Sequence, residues 1–188
     1  MDRDTGEQCA TLRLRCMPGV FGHYVYRVCR WFNNAQLAVE RNGAGIGSLE
    51  ALQTDGYPPG LMYHRPVAGD QDPLSRSDKL GWMTDEISRQ QLISLLDDAI
   101  RQSTIYVHDP TTITELLTFV INPKGKAEAQ QGTHDDCVIA LALAVVVMAR
   151  MPAPIKPQAP PQPPRVGYYN RPAPQEPERR GTLVKVLR

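Results

Sequence analysis

"GTHDDCVIALALAVVVMAR", residues 132–150, sets a histidine and two adjacent aspartates directly before an almost unbroken apolar run. The run from Cys137 to Ala149 holds no charge, so it reads as a helix buried on most of its circumference. Charge beside such a core is costly to desolvate unless something stabilises it. A helix N-terminus, a basic side chain and a metal ion are the three candidates. Thr133 is the expected N-cap, with Asp135 and Asp136 in the first turn, where the helix dipole favours an anion by about 0.3–1 kcal/mol. One carboxylate suffices for that purpose, and adjacent carboxylates repel, so metal binding stands beside capping as a reading of the pair.

Working back toward the N-terminus, the chain alternates between strand and helix patterns. Residues 7–16, "EQCATLRLRC", have the period-two alternation of a strand with one wet face, and "DRDTGE" before them has the composition of a turn. Val20, Tyr24, Val28 and Trp31 recur at helical spacing within 20–33. "AQLAVERN", 35–42, is a short apolar strand, and "GIGSLEALQTDGY" a helix closed by Gly56. "LMYHRP" is a strand that Pro66 limits. Residues 84–102 form an amphipathic helix with Thr84 as the expected cap, "TIYVHD" a strand, "TTITELLTFVI" an ambiguous segment, and 134–150 the final helix. Such alternation predicts an α/β fold, a sheet with helices on both faces.

Composition divides the chain unevenly. From residue 151 onward there are seven Lys/Arg against two Asp/Glu, while the preceding 150 residues hold fourteen against eighteen. A mildly acidic body, 1–150, thus precedes a basic tail, 151–188, that contains ten of the seventeen prolines. The tail is expected to be an extended, disordered arm, of a kind that meets nucleic acid or another anionic surface. The longest apolar run is too short to span a bilayer, and the polar opening "MDRDTGEQ" lacks a signal-peptide core. Cys9, Cys16, Cys29 and Cys137 form no C-x-x-C pair and are expected to be reduced, mostly buried thiols of a cytoplasmic protein.

Chemistry is sought where elements end. Glu40 closes an apolar strand and precedes the turn "NGAGIG", a position where ligands gather in α/β sheets. The alternative is a solvent-exposed charge, paired with Arg41. The glycines do not follow G-x-G-x-x-G, and no G-x-x-x-x-G-K-[ST] loop is present, which argues against a dinucleotide site or self-contained ATP hydrolysis. Taken together, Glu40, Asp135 and Asp136 suit Mg²⁺ or Mn²⁺, while zinc would call for more His and Cys. Lys124 and Lys126, in "NPKGKAEA", suit either contact with a DNA backbone or an ordinary polar turn. Asp97 and Asp98 lie on the solvated face of their helix and carry no chemistry.

The segments "DRDTGEQCATLRLR", "LAVERNGAG", "KLGWMTDEISRQQLISLLDDAI" and "ELLTFVINPKGKAEAQQGTHDDCVIALALA" occur in the order found in the C-terminal nuclease domain of bacteriophage large terminase subunits, which this chain resembles over residues 2–150. The resemblance implies an RNase H/RuvC-like fold, a mixed sheet flanked by helices, and a two-metal Mg²⁺ or Mn²⁺ endonuclease that cuts concatemeric double-stranded DNA during genome packaging. It implies Glu40, Asp136 and Asp135 as metal ligands, Asp136 the direct one, and a site role for His134. It implies a portal protein, a small terminase subunit and a terminase ATPase domain as partners, and a phage- or prophage-encoded protein in a bacterial cytoplasm. Family members carry the first catalytic aspartate on a strand just before the turn matched by "DRDTGE", so the resemblance also implies that this strand and this ligand are absent here. Two other readings are a catalytically incomplete module that binds DNA or packaging proteins, and another RNase H-like nuclease such as a resolvase or transposase.

Overall fold

The computed structural model of the protein describes residues 1–66, 76–123 and 125–153. They belong to one compact unit, Met1–Ala153. The element order is α1 (Pro18–Trp31), α2 (Gly45–Thr54), a 3-10 turn (Pro59–Leu61), β1 (His64–Pro66), β2 (Arg76–Leu80), α3 (Glu86–Arg101), α4 (Pro110–Leu117), β3 (Phe119–Ile121), β4 (Ala127–Ala129) and α5 (Asp136–Arg150). From residue 154 on, the proline-rich tail lies outside the described residues.

The class is mixed α/β, but the expected mixed sheet is present only in pieces. Among the described residues there are two antiparallel two-stranded sheets, β1–β2 and β3–β4. Parallel pairing survives as isolated bridges, Leu37 with Met62, Glu40 with Trp82, and Glu7 with Tyr106. Among the described residues, 37–41 bond along one edge: the Leu37 amide donates to Leu61, that of Tyr63 to Leu37, that of Trp82 to Val39, and that of Arg41 to Trp82. Residues 7–16 are not a strand beyond the bridge at Glu7, although their alternation is that of one. A strand is defined by its partner, and none lies beside this segment among the described residues. The turn before it forms as expected. Asp2 Oδ1 accepts from the Asp4 and Thr5 amides, each at 2.9 Å, and Gly6 adopts φ +73°.

Two cores hold the unit. The larger packs α5 against α3, with Trp82, Tyr63 and Ile105. Nine α5 residues are buried, and each large aliphatic among them contributes about 1.5–3 kcal/mol. The smaller core joins Cys29, Leu49, Leu52, Tyr57, Met62 and Leu80 beneath α1 and α2. These helices approach closely because Gly22 faces α2: a Cβ there would stand 2.6 Å from the Ser48 carbonyl oxygen.

Three local expectations change. Of the four residues at helical spacing in α1, Val28 is half-buried while Val20, Tyr24 and Trp31 point outward, Trp31 84% exposed. Helix α3 is capped by Asp85, not Thr84: Asp85 Oδ1 accepts from the Ser88 amide at 2.7 Å, and Ser88 Oγ accepts from the Asp85 amide at 2.8 Å. The ambiguous segment divides into α4 and β3, and the strand β2 carries no alternation that a sequence reading would find. No described helix is long and apolar enough to cross a membrane.

Candidate metal and nucleic-acid site

Glu40 stands where the 37–41 segment ends. Its neighbours are fixed on both sides, the Trp82 amide donating to the Val39 carbonyl at 2.7 Å and the Arg41 amide to that of Trp82 at 2.6 Å. The glycine turn after it serves packing. A Cβ on Gly45 would fall 1.6 Å from the Glu40 carbonyl oxygen, so only glycine lets α2 begin there. Glu40 is half-buried and, among the described residues, makes no ion pair with Arg41.

The start of α5 is built differently from its expected form. Thr133 is not the cap; its hydroxyl donates to the Gln130 carbonyl at 2.7 Å. Asp135 occupies the N-cap position without a capping bond, and its carboxylate instead accepts from Arg89 Nη2 of α3 at 2.6 Å. The helix end is satisfied from outside by Glu115, near the end of α4, whose Oε2 accepts from the Cys137 amide at 2.7 Å. Arg13 stands 3.4 Å from the other Glu115 oxygen, and the Glu115 side chain is only 7% exposed. Burial raises the Cys137 thiol above its ordinary range, and the negative charge of Glu115 raises it further.

Glu115 was not a sequence candidate. In "TTITELLTF" the apolar residues suggest an inward apolar stripe, yet α4 buries Thr112 and Glu115 and exposes Leu117 at 80%. Thr112 and Glu115 stand at i, i+3, a spacing that sets both on the inward face of α4.

With Asp135 engaged by Arg89 and the helix end met by Glu115, Asp136 remains exposed in the first turn of α5. His134 is also exposed, and both line a groove of about 630 Å³ between α5 and residues 8–15. Lys126 is exposed on the β3–β4 connection, its Nζ 3.6 Å from a Glu128 oxygen. Lys124 lies outside the described residues. Carboxylates of this kind fit a hard divalent cation by donor type. Among the described residues, however, no three His, Cys, Asp or Glu side chains gather closely enough to hold one.

Asp97 does lie on a solvated face, paired with Arg101 at 2.7 Å. All four thiols are free, but Cys9 and Cys16 are exposed and only Cys29 and Cys137 buried, against the expectation of mostly buried cysteines. No protein-family model and no curated protein matches this chain.

Proposed function

We propose that the chain is an RNase H-like nuclease domain of a viral DNA-packaging terminase, acting on concatemeric double-stranded DNA. The observation that supports this reading is Asp136. Glu115 supplies the capping bond and Arg89 neutralises Asp135, so neither role accounts for an exposed Asp136 on the rim of a groove.

In this reading Glu40 and Asp136 are the carboxylate ligands, with Asp135 available to a second ion only at the expense of its pairing with Arg89. The chemistry supplied by bound Mg²⁺ or Mn²⁺ is activation of water and neutralisation of the leaving 3′ oxygen in phosphodiester hydrolysis. His134, beside Asp136, takes up or returns a proton. Lys126 meets the phosphate backbone, with Lys124 as its companion in the sequence. The portal protein, the small terminase subunit and a terminase ATPase domain are the proposed partners, in the cytoplasm of the infected bacterium.

A second reading, a module that binds DNA or packaging proteins without cutting, is supported by the lack of a gathered three-ligand cluster among the described residues. One experiment separates the two. Supercoiled plasmid is incubated with the purified chain and Mn²⁺, beside Glu40→Ala and Asp136→Ala variants, and DNA retention is measured on the same samples. The nuclease reading expects Mn²⁺-dependent nicking that both substitutions reduce to background. Retention without nicking establishes the binding module, and loss of both sinks both readings.

A further inference from the structure

Helix α1 is apolar on two opposite faces. Gly22 and Cys29 share the buried face that packs toward α2. At 100° per residue, Val20, Tyr24, Arg27 and Trp31 fall within about 60° of one another on the opposite side. All four are exposed, and Met17, at the N-cap, continues their stripe. Scattered apolar residues on a surface need no explanation, but a continuous ridge of them marks an interaction site. Trp, Tyr, Met and Arg are also the residue types concentrated at the centre of protein–protein interfaces, where one large side chain can dominate binding.

The ridge alone does not say what covers it, but its charge does. Residues 8–39 hold four arginines, one histidine and no Asp or Glu, within a body of fourteen basic and eighteen acidic side chains. Arg27 stands inside the apolar stripe and Arg30 at its margin, both exposed. Among the described residues neither has an acidic partner, and Arg30 Nη1 donates to Asn34 Oδ1 at 2.9 Å. The two acids of the neighbouring helix do not offset them. Asp55, the C-cap of α2, pairs with His23 at 2.6 Å, and Glu50 lies off the Ser48–Ala51 face that meets α1.

Charge therefore chooses among the occupants. The chain's own tail is basic, with seven Lys/Arg against two Asp/Glu. A second copy docked through the same face sets like charges against each other. Nucleic acid would meet the arginines but turn its phosphates toward Met17 and Val20. A helix with acids beside an apolar stripe satisfies both features at once, because its own side chains repeat at the i, i+4, i+7 spacing of the ridge.

We propose that the outer face of α1 docks an acidic amphipathic helix of a partner protein, with Tyr24 and Trp31 as the apolar anchors and Arg27 as the ion-pairing contact. The inference does not rest on the nuclease reading, since binding is measured without metal and DNA enters only as a competitor.

The probe is an end-capped, fluorescein-labelled peptide of about 18 residues, long enough to hold a helix, with leucine at every third or fourth position and glutamate and alanine between. Anisotropy on titration with the full chain reports binding. Tryptophan emission with the unlabelled peptide reports the place, because Trp31 is exposed and Trp82 is buried. The expected result is saturable binding with a blue shift of the Trp31 emission. Trp31→Ser and Arg27→Glu should each weaken it about ten-fold or more, and so should lysine in place of glutamate in the peptide. Failure to bind, indifference to either substitution, or equal affinity for the lysine peptide overturns the proposal. Displacement of the peptide by duplex or single-stranded DNA makes the ridge a nucleic-acid surface and overturns it too. Trp31 emission already blue before any peptide is added places the cover in a second copy if dilution reverses it, and in the chain itself if dilution does not. Either result overturns the assignment to a partner. Should Trp31→Ser fail to fold, Arg27→Glu, which alters one exposed side chain, decides alone.

Discussion

Glu115 shows how much one side chain can settle. Its Oε2 meets the Cys137 amide, one of the donors that a helix leaves unbonded at its N-terminus, and its charge faces Arg13. Removing it leaves a buried amide without a partner and a guanidinium beside an apolar surface. Glu115→Ala is therefore expected to cost about 1–3 kcal/mol in urea unfolding, with Glu115→Gln, which keeps an acceptor but not the charge, falling between. An unchanged midpoint for the alanine variant would mean that another group takes over the helix end. Glu115 was hidden from a sequence reading because its partners lie 22 and 102 positions away. The aspartate pair was visible for the opposite reason, since its contrast with the apolar run is local. Its division of labour was not, because Arg89 reaches Asp135 from a different helix.

At the scale of elements, local pattern predicted where helices lie better than which way they face. Helices α2, α3 and α5 fall within the segments their spacing implied and α1 begins two residues ahead of its segment, because turn residues and apolar period are properties of consecutive residues. The outward stripe of α1 is different. Its inner face is set by Gly22 against Ser48 and Ala51, and close backbone approach outweighs the larger apolar residues. Trp31→Ser is accordingly expected to leave stability within about 0.5 kcal/mol, whereas Gly22→Leu, which must push α2 aside, should cost about 1–3 kcal/mol or more. Thermal unfolding of the two variants checks the pair, and a large loss at Trp31 would return the stripe to the interior. The bridged segments at 37–41 and 104–107 were legible as apolar runs, but their pairing order and the strand β2 that pairs with β1 were not, since registers depend on contacts distant in sequence.

Across the whole molecule, two thiols are buried, Cys29 in the smaller core and Cys137 in the first turn of α5. Burial raises both above the ordinary thiol range, Glu115 adding to the effect at Cys137 while a hydrogen bond with Tyr57 works against it at Cys29. The unfolded chain therefore ionises these thiols first. Their contribution to stability is intact below the unfolded thiol value, about 8.5, and is lost as pH rises beyond it. Urea midpoints measured from pH 7 to 10 should fall over the alkaline half, and Cys29→Ala with Cys137→Ala should flatten that fall. A thiol reagent at pH 8 should meet Cys9 and Cys16 promptly and the other two only on unfolding.

The sequence by itself determined the mixed α/β class, the helix-forming segments, the N-terminal turn and the local conjunction of acids with an apolar helix, all of which depend on residues within about one element of each other. Tertiary structure alone decided that Glu115 meets the end of α5, that Asp135 belongs to Arg89 while Asp136 stays open, and that residues 9–15 face a groove instead of a strand. Those outcomes depend on which distant groups satisfy each buried donor and charge, and chain spacing carries no record of that choice.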